Sequence, residues 1–240
     1  MQYSGVLRKC RKCGEASPDH FKLRPDGTLS RWCRGCQFDA ARSCKQGRIR
    51  VVSFATAGPY EQEAKGLMES AEDFGVTINL SVIAKTTWLQ AVAFKPSFMR
   101  MQFERYPEAD GFLWVDADAR FDAAPDFTTF DGAHLSYHRF KWSRTHPVEH
   151  LTGTIYIANT PTMRDFCEDW AAQTKHYMTT DTPEQHGLKW AVEHAGAEIV
   201  YRDCTPKWVW VDGDDGMVRV YPDERDPYLC HFQASRRLKT

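Results

Sequence analysis

From about residue 50 onward, two periods of apolar spacing take turns along the chain. Arg50-Val-Val-Ser-Phe-Ala55 is a short run of β-branched and aromatic residues, punctuated by Thr56, Gly58 and Pro59, and reads as a first strand. Ala64, Leu67, Met68, Ala71 and Phe74 then recur at i, i+3, i+4, i+7 and i+10, an amphipathic helix closed by Gly75. Residues 76–83 predict a second strand, and roughly Thr87 to Tyr106 a second helical region interrupted near Pro96. A third apolar strand runs through Gly111-Phe-Leu-Trp-Val-Asp-Ala-Asp-Ala-Arg-Phe121. Leu151 to Ala158 predict a further strand, in which Gly153 permits close backbone approach. Met163, Phe166, Cys167, Trp170 and Ala171 form another helical stripe, read as core. Thr182 stands as N-cap of a last helix, with Pro183 at its first position and Glu184 in the first turn, where an acid favours the helix dipole. Strands alternating with helices predict an α/β fold, a mixed and mostly parallel sheet flanked by helices.

The third strand carries the candidate chemistry. Side chains two apart on a strand share a face, so Asp116 and Asp118 are expected to point together at the mouth of the sheet. Like charges that close need a cation between them or a raised pKa. Oxygen ligands of this kind suit Mg²⁺ or Mn²⁺, which bind phosphate oxygens in turn. In open α/β sheets ligands sit at the carboxyl ends of strands, where these acids fall. Near the end of the chain, His231 is followed by Ser235, Arg236, Arg237 and Lys239, a combination able to serve a metal–phosphate site. Asp212-Gly-Asp-Asp-Gly216 predicts a turn and lacks the twelfth-position Glu of a calcium loop.

Composition adds a division. The 240 residues are 42% hydrophobic and 26% charged, with a net charge of −1. Near-neutrality hides an asymmetry: residues 1–50 hold 12 Lys and Arg against 4 Asp and Glu, whereas the rest holds 19 against 28. A basic head on an acidic body predicts two modules, 1–46 and 47–240, with the head facing polyanions. Within the head, Cys10-Arg-Lys-Cys13 and Cys33-Arg-Gly-Cys36 stand 19 residues apart. Paired C-x2-C knuckles at this separation predict one structural Zn²⁺ held by four thiolates. The intervening segment has few large apolar residues, so the metal is expected to supply its folding free energy. Cys44, Cys167, Cys204 and Cys230 lack paired spacing and are expected as buried thiols. No apolar run reaches the roughly 20 residues of a membrane helix, and the polar start predicts no export signal, so a cytoplasmic location is expected. Arg8, Lys9, Arg11, Lys12, Arg31 and Arg34 around Trp32 could clamp phosphate and stack on a base.

Two resemblances follow from these residues. Cys-x2-Cys-Gly-Glu, Phe21, Asp26-Gly27 and the second Cys-x2-Cys resemble the small zinc-ribbon or zinc-finger modules attached to phage proteins, homing-type nucleases among them. The body, in the order first strand, Lys95-Pro, Asp116-x-Asp118, Thr152-Gly-Thr154, Pro183-Glu-Gln185 and His231, resembles nucleotide-sugar glycosyltransferases of the GT-A fold. That resemblance implies a catalytic Mn²⁺ or Mg²⁺ on Asp118 and His231, with Asp116 on the metal or on the donor ribose. It implies a nucleotide-sugar donor, a UDP-sugar foremost, lined by Phe54, Ala55 and Thr56, with Lys95, Arg236 and Arg237 also on the donor side. Glu184 and Gln185 fall at the reacting sugar, Glu184 as candidate base with Asp181 in reserve; inverting and retaining courses both stay open. The two modules together imply transfer onto DNA, at a hydroxymethylated pyrimidine. The alternative is a glycan, lipid or protein acceptor, with the zinc module docking a partner.

Overall fold

The computed structural model describes residues 13, 21–23, 29–33, 36–37, 46–141, 145, 147–211 and 227–231. In the head, strands β1 (Phe21–Leu23) and β2 (Leu29–Cys33) pair antiparallel. The body then runs β3 (Ile49–Thr56), α1 (Pro59–Glu72), β4 (Ile78–Ile83), α2 (Trp88–Arg105), β5 (Gly111–Val115) and β6 (Ala119–Phe121). It continues with β7 (Leu135–Phe140), β8 (Glu149–Ala158), α3 (Pro161–His176), α4 (Pro183–His194) and β9 (Tyr201–Asp203), and ends with β10 (Trp210–Val211) and β11 (Leu229–His231).

Six strands form the main sheet in the order β4-β3-β5-β8-β7-β9. Three of its pairings are parallel (β3–β4, β3–β5, β7–β9) and two antiparallel (β5–β8, β7–β8). The strands read as unbroken apolar runs because both faces of the sheet are covered. Val51, Leu113, Val115 and Tyr156 pack toward Leu67, Ala71 and Phe74 around α1. Their neighbours Val52, Phe112, Trp114, Ile155 and Ile157 pack toward Phe98, Met99, Phe103, Phe166, Trp170 and Leu188 of α2, α3 and α4. Each step along a strand thus changes which helical layer a side chain meets. The chain leaves β3 for β4 on one side and returns to β5 on the other, so the order reverses at the carboxyl ends of β3 and β5. Such a reversal opens a crevice.

Helix ends follow local chemistry. Gly58 precedes α1 at φ 110°, a conformation that favours glycine, and its N–H donates to Glu61 Oε1 at 3.0 Å. Thr87 caps α2 through a capping box with Gln90.

Two expectations are corrected. Helix α2 is not interrupted near Pro96 but runs through it. Lys95, Pro96, Phe98, Met99 and Phe103 are buried along it, and that packing outweighs the hydrogen bond the proline forgoes. The Asp116/Asp118 segment is not one strand: β5 ends at Val115, and a turn closed by the Ala119 N–H on the Asp116 carbonyl (3.0 Å) leads into β6. Strand β6 leaves the main sheet to pair antiparallel with β11, which pairs parallel with β10. Thr182 occupies the N-cap position of α4, but its side chain makes no cap bond; its carbonyl accepts from Gln185 and His186 instead.

Candidate functional site

A cavity of about 390 Å³ opens at the reversal point. The end of β3 supplies Phe54, Ala55 and Thr56, and the turn after β5 supplies Asp116 and Asp118. Strand β8 brings Leu151 to Thr154, the approach to α4 brings Asp181, Glu184 and Gln185, and β11 brings His231. Thus Phe54, Ala55, Thr56, Lys95, Asp116, Asp118, Asp181, Glu184, Gln185 and His231, chosen from sequence, line one cavity. Arg236, Arg237 and Cys10 lie outside the described residues, as does the turn at 212–216, and of Cys33 only the strand backbone is described. Cys13 is exposed and Cys36 half-buried.

Register explains the convergence of the acids with the histidine. Strand β11 pairs with β6 so that His231 lies opposite Ala119, the residue after Asp118. One ligand atom each from Asp116, Asp118 and His231 lies within 4.8 Å of the others. The turn, rather than a strand pleat, gathers the two carboxylates. Gly153 leaves room for the group: a Cβ there would stand 3.0 Å from His231 Cε1, 3.2 Å from its Nδ1 and 3.4 Å from Asp116 Oδ2.

Asp116 and Glu184 are joined to named partners. Asp116 Oδ1 accepts from Lys95 Nζ at 2.9 Å and from Trp114 Nε1 at 2.8 Å. Lys95 also donates to the Thr152 carbonyl at 3.0 Å and approaches Thr152 Oγ1 at 3.4 Å. Its ammonium lines the cavity but is turned to Asp116 and the β8 backbone. Thr152 Oγ1 donates to Glu184 Oε1 at 3.1 Å, so a polar chain joins Asp116 to Glu184 through Lys95 and Thr152. Glu184 Oε2 is buried with no hydrogen-bond partner among the described residues. Burial pushes the Glu184 carboxyl above the usual carboxylate range, against the pull of Lys95. Burial and the nearby Asp118 and Asp116 push the Tyr60 phenol up to about 12.

Among the described lining residues, four are carboxylic acids and Lys95 is the single Lys or Arg. That excess of acid suits a cation ligand more than a bare anion. Tyr60, Thr86, Trp88, Ala91 and Val92 also line it and were not singled out from sequence. Tyr60 could have been found, because it stands just past the carboxyl end of the first strand, where α/β sheets bind ligands.

Two solved structures share this architecture. A glycosyltransferase involved in the glycosylation of the major capsid of PBCV-1 superposes with a TM-score of 0.56 at 16% identity, covering 79% of this chain and 96% of that one. The glycosyltransferase GlyE of Streptococcus pneumoniae TIGR4 superposes with a TM-score of 0.50 at 12% identity, covering 76% of this chain and 54% of GlyE, about half its length. At such identities the likeness is one of fold, and that fold is the GT-A-like mixed sheet flanked by helices that the resemblance implied. Neither a protein-family model nor a curated protein matches the sequence. Among the described residues no helix is long and apolar enough to cross a membrane.

Proposed function

We propose that this chain is a metal-dependent glycosyltransferase that moves a sugar from a nucleotide-sugar, a UDP-sugar foremost, to a hydroxyl acceptor. The observation that carries the reading is the gathering of Asp116, Asp118 and His231 in one cavity at the strand-order reversal of a fold shared with glycosyltransferases. Two carboxylates and an imidazole within 4.8 Å of one another fit Mn²⁺ or Mg²⁺. An ion bound there would supply Lewis-acid stabilisation of the departing diphosphate. Phe54, Ala55 and Thr56 face the nucleotide, and the resemblance implies Arg236 and Arg237 as positive charge for the diphosphate.

The remaining chemistry belongs to side chains. Lys95 and Trp114 fix the carboxylate of Asp116. Glu184, its proton affinity raised by burial, takes the proton of the acceptor hydroxyl as that oxygen bonds to the anomeric carbon and the bond from that carbon to the diphosphate breaks. In a retaining course the same carboxylate stabilises the positive charge developing on the sugar. Asp181 is the reserve base, and Gln185 a donor to the sugar.

The acceptor we favour is a hydroxymethylated pyrimidine in DNA, whose hydroxyl is the nucleophile ordinary bases lack. Support comes from the basic residues of 1–46 and the zinc knuckles Cys10, Cys13, Cys33 and Cys36. Incubation with UDP-hexose, Mn²⁺ and hydroxymethylated DNA should add one hexose mass to the modified nucleoside in mass spectra of the digest. Absence of transfer across a panel of UDP-, GDP- and CMP-sugars refutes the reading. DNA retention in gel shifts should fall steeply with salt and be lost on deleting 1–46. A second reading, a protein or glycan acceptor with the zinc module docking a partner, is favoured by the structural neighbour that acts in capsid glycosylation. Transfer to a glycoprotein and none to DNA would select it.

A further inference from the structure

We propose that Thr154, backed by the carbonyl of Trp208, holds His231 in the tautomer that carries its proton on Nε2 and turns a bare Nδ1 toward Asp116 and Asp118. The proposal rests on the metal-dependent reading above and assigns Thr154 as a positioning residue for that site.

The argument is a count of protons. Thr154 Oγ1 lies 2.9 Å from the Trp208 carbonyl oxygen and 2.9 Å from His231 Nε2. The hydroxyl has one proton to give, and a carbonyl oxygen can only accept. If that proton goes to the carbonyl, Oγ1 is left with lone pairs, and Nε2 must be the donor to it. The reverse assignment would leave the Trp208 carbonyl without a donor among the described residues. Both residues are fully buried, and folded proteins rarely leave a buried carbonyl unpaired.

The surroundings keep these groups in place. Trp208 is wedged among Phe127, Phe130 and Tyr228, with ring centroids at 5.6, 5.0 and 5.2 Å. Thr154 lies opposite Val115, the last residue of β5. With Nε2 engaged, Nδ1 has no hydrogen-bond partner among the described residues. It lies on the Gly153 side of the ring, where Asp116 Oδ2 also sits. A neutral imidazole protonated on Nε2 offers its lone pair at Nδ1, the atom a metal ion needs. A hydrogen bond to the far nitrogen is the usual device for fixing such a ligand.

Two measurements on the full-length protein test this. Long-range ¹⁵N–¹H correlation spectra of metal-free protein, with the His231 signal identified by its loss in His231→Gln, should show Nε2 protonated and Nδ1 bare. Titration with Mn²⁺ alone, followed by calorimetry, should give an affinity that falls about 10–100-fold in Thr154→Val and returns in Thr154→Ser. The spectra of Thr154→Val should show mixed tautomers, and those of Thr154→Ser the wild-type pattern. A wild-type ring protonated on Nδ1 overturns the proposal, and that arm needs no variant to fold. Wild-type Mn²⁺ affinity and tautomer in a folded Thr154→Val also overturn it. A wild-type ring with Nε2 protonated but no Mn²⁺ binding supports the tautomer assignment and sinks the metal-dependent reading instead.

Discussion

Replacing Lys95 by Met tests what the buried ammonium is for. The side chain of Lys95 is 4% exposed and that of Asp116 35%. Methionine keeps nearly the length of the lysine stem, so the substitution removes the charge while leaving little void. It forfeits the 2.9 Å ion pair with Asp116 and the 3.0 Å bond to the Thr152 carbonyl. A hydrogen bond to a charged group contributes about 1.5–3 kcal/mol net. Asp116 recovers part of its loss, because it faces solvent over a third of its surface and keeps the Trp114 N–H. The cost therefore falls well short of the ~3–5 kcal/mol of a fully buried broken pair, at about 2 kcal/mol. For a domain of this size that is a drop of about 4–8 °C in melting temperature. Thermal unfolding should show this drop without metal and a smaller one in saturating Mn²⁺, because a bound cation restores positive charge beside Asp116. The donor KM should change little. An unchanged melting temperature together with a donor KM raised tenfold or more would show that Lys95 serves the donor phosphates and not Asp116.

Three further outcomes are expected. Because burial raises the Glu184 pKa, the folded chain keeps a proton there that the unfolded chain has released. Stability should therefore fall as pH rises through that raised value, and Glu184→Gln should lack the dependence in pH-resolved melts. The same ionisation should give wild-type kcat/KM a limb that rises with pH, absent from Glu184→Gln along with most of the turnover. Gly153→Ala should weaken Mn²⁺ binding about tenfold, judged by calorimetry, because its Cβ would crowd His231 and Asp116 at 3.0–3.4 Å; an unchanged affinity would mean the ring moves freely. Trp114→Phe removes the other donor to Asp116 at 2.8 Å and should cost about 1 kcal/mol in denaturant unfolding, with Mn²⁺ affinity reduced.

The strands and helices around α1 to α4 were legible where burial imposed a clean period. Val51 and Val52 both had to be apolar because each meets a different helical layer, and Leu67, Ala71 and Phe74 had to recur at helical spacing to reach one of them. Strand β7 was not legible. Its Ser136 and His138 are buried, with His138 Nδ1 donating to the Cys204 carbonyl at 2.8 Å, so polar residues break the apolar run that marks a strand. Strands β6, β10 and β11 have two or three residues each, too few to establish a period.

The order of the motifs grouped the acids, the lysine, the glutamate and the histidine through its resemblance to GT-A glycosyltransferases, and in the fold they line one cavity. Their arrangement came from long-range pairing. The antiparallel register of β11 on β6 carries His231 to the turn that holds Asp118, across more than 100 residues of chain. Packing around Lys95 directs its charge at Asp116, and burial of Glu184 sets how tightly that carboxyl keeps its proton. Side-chain identity is a local property of the chain; distance, dielectric and hydrogen-bond partner arise only when remote segments close on one another.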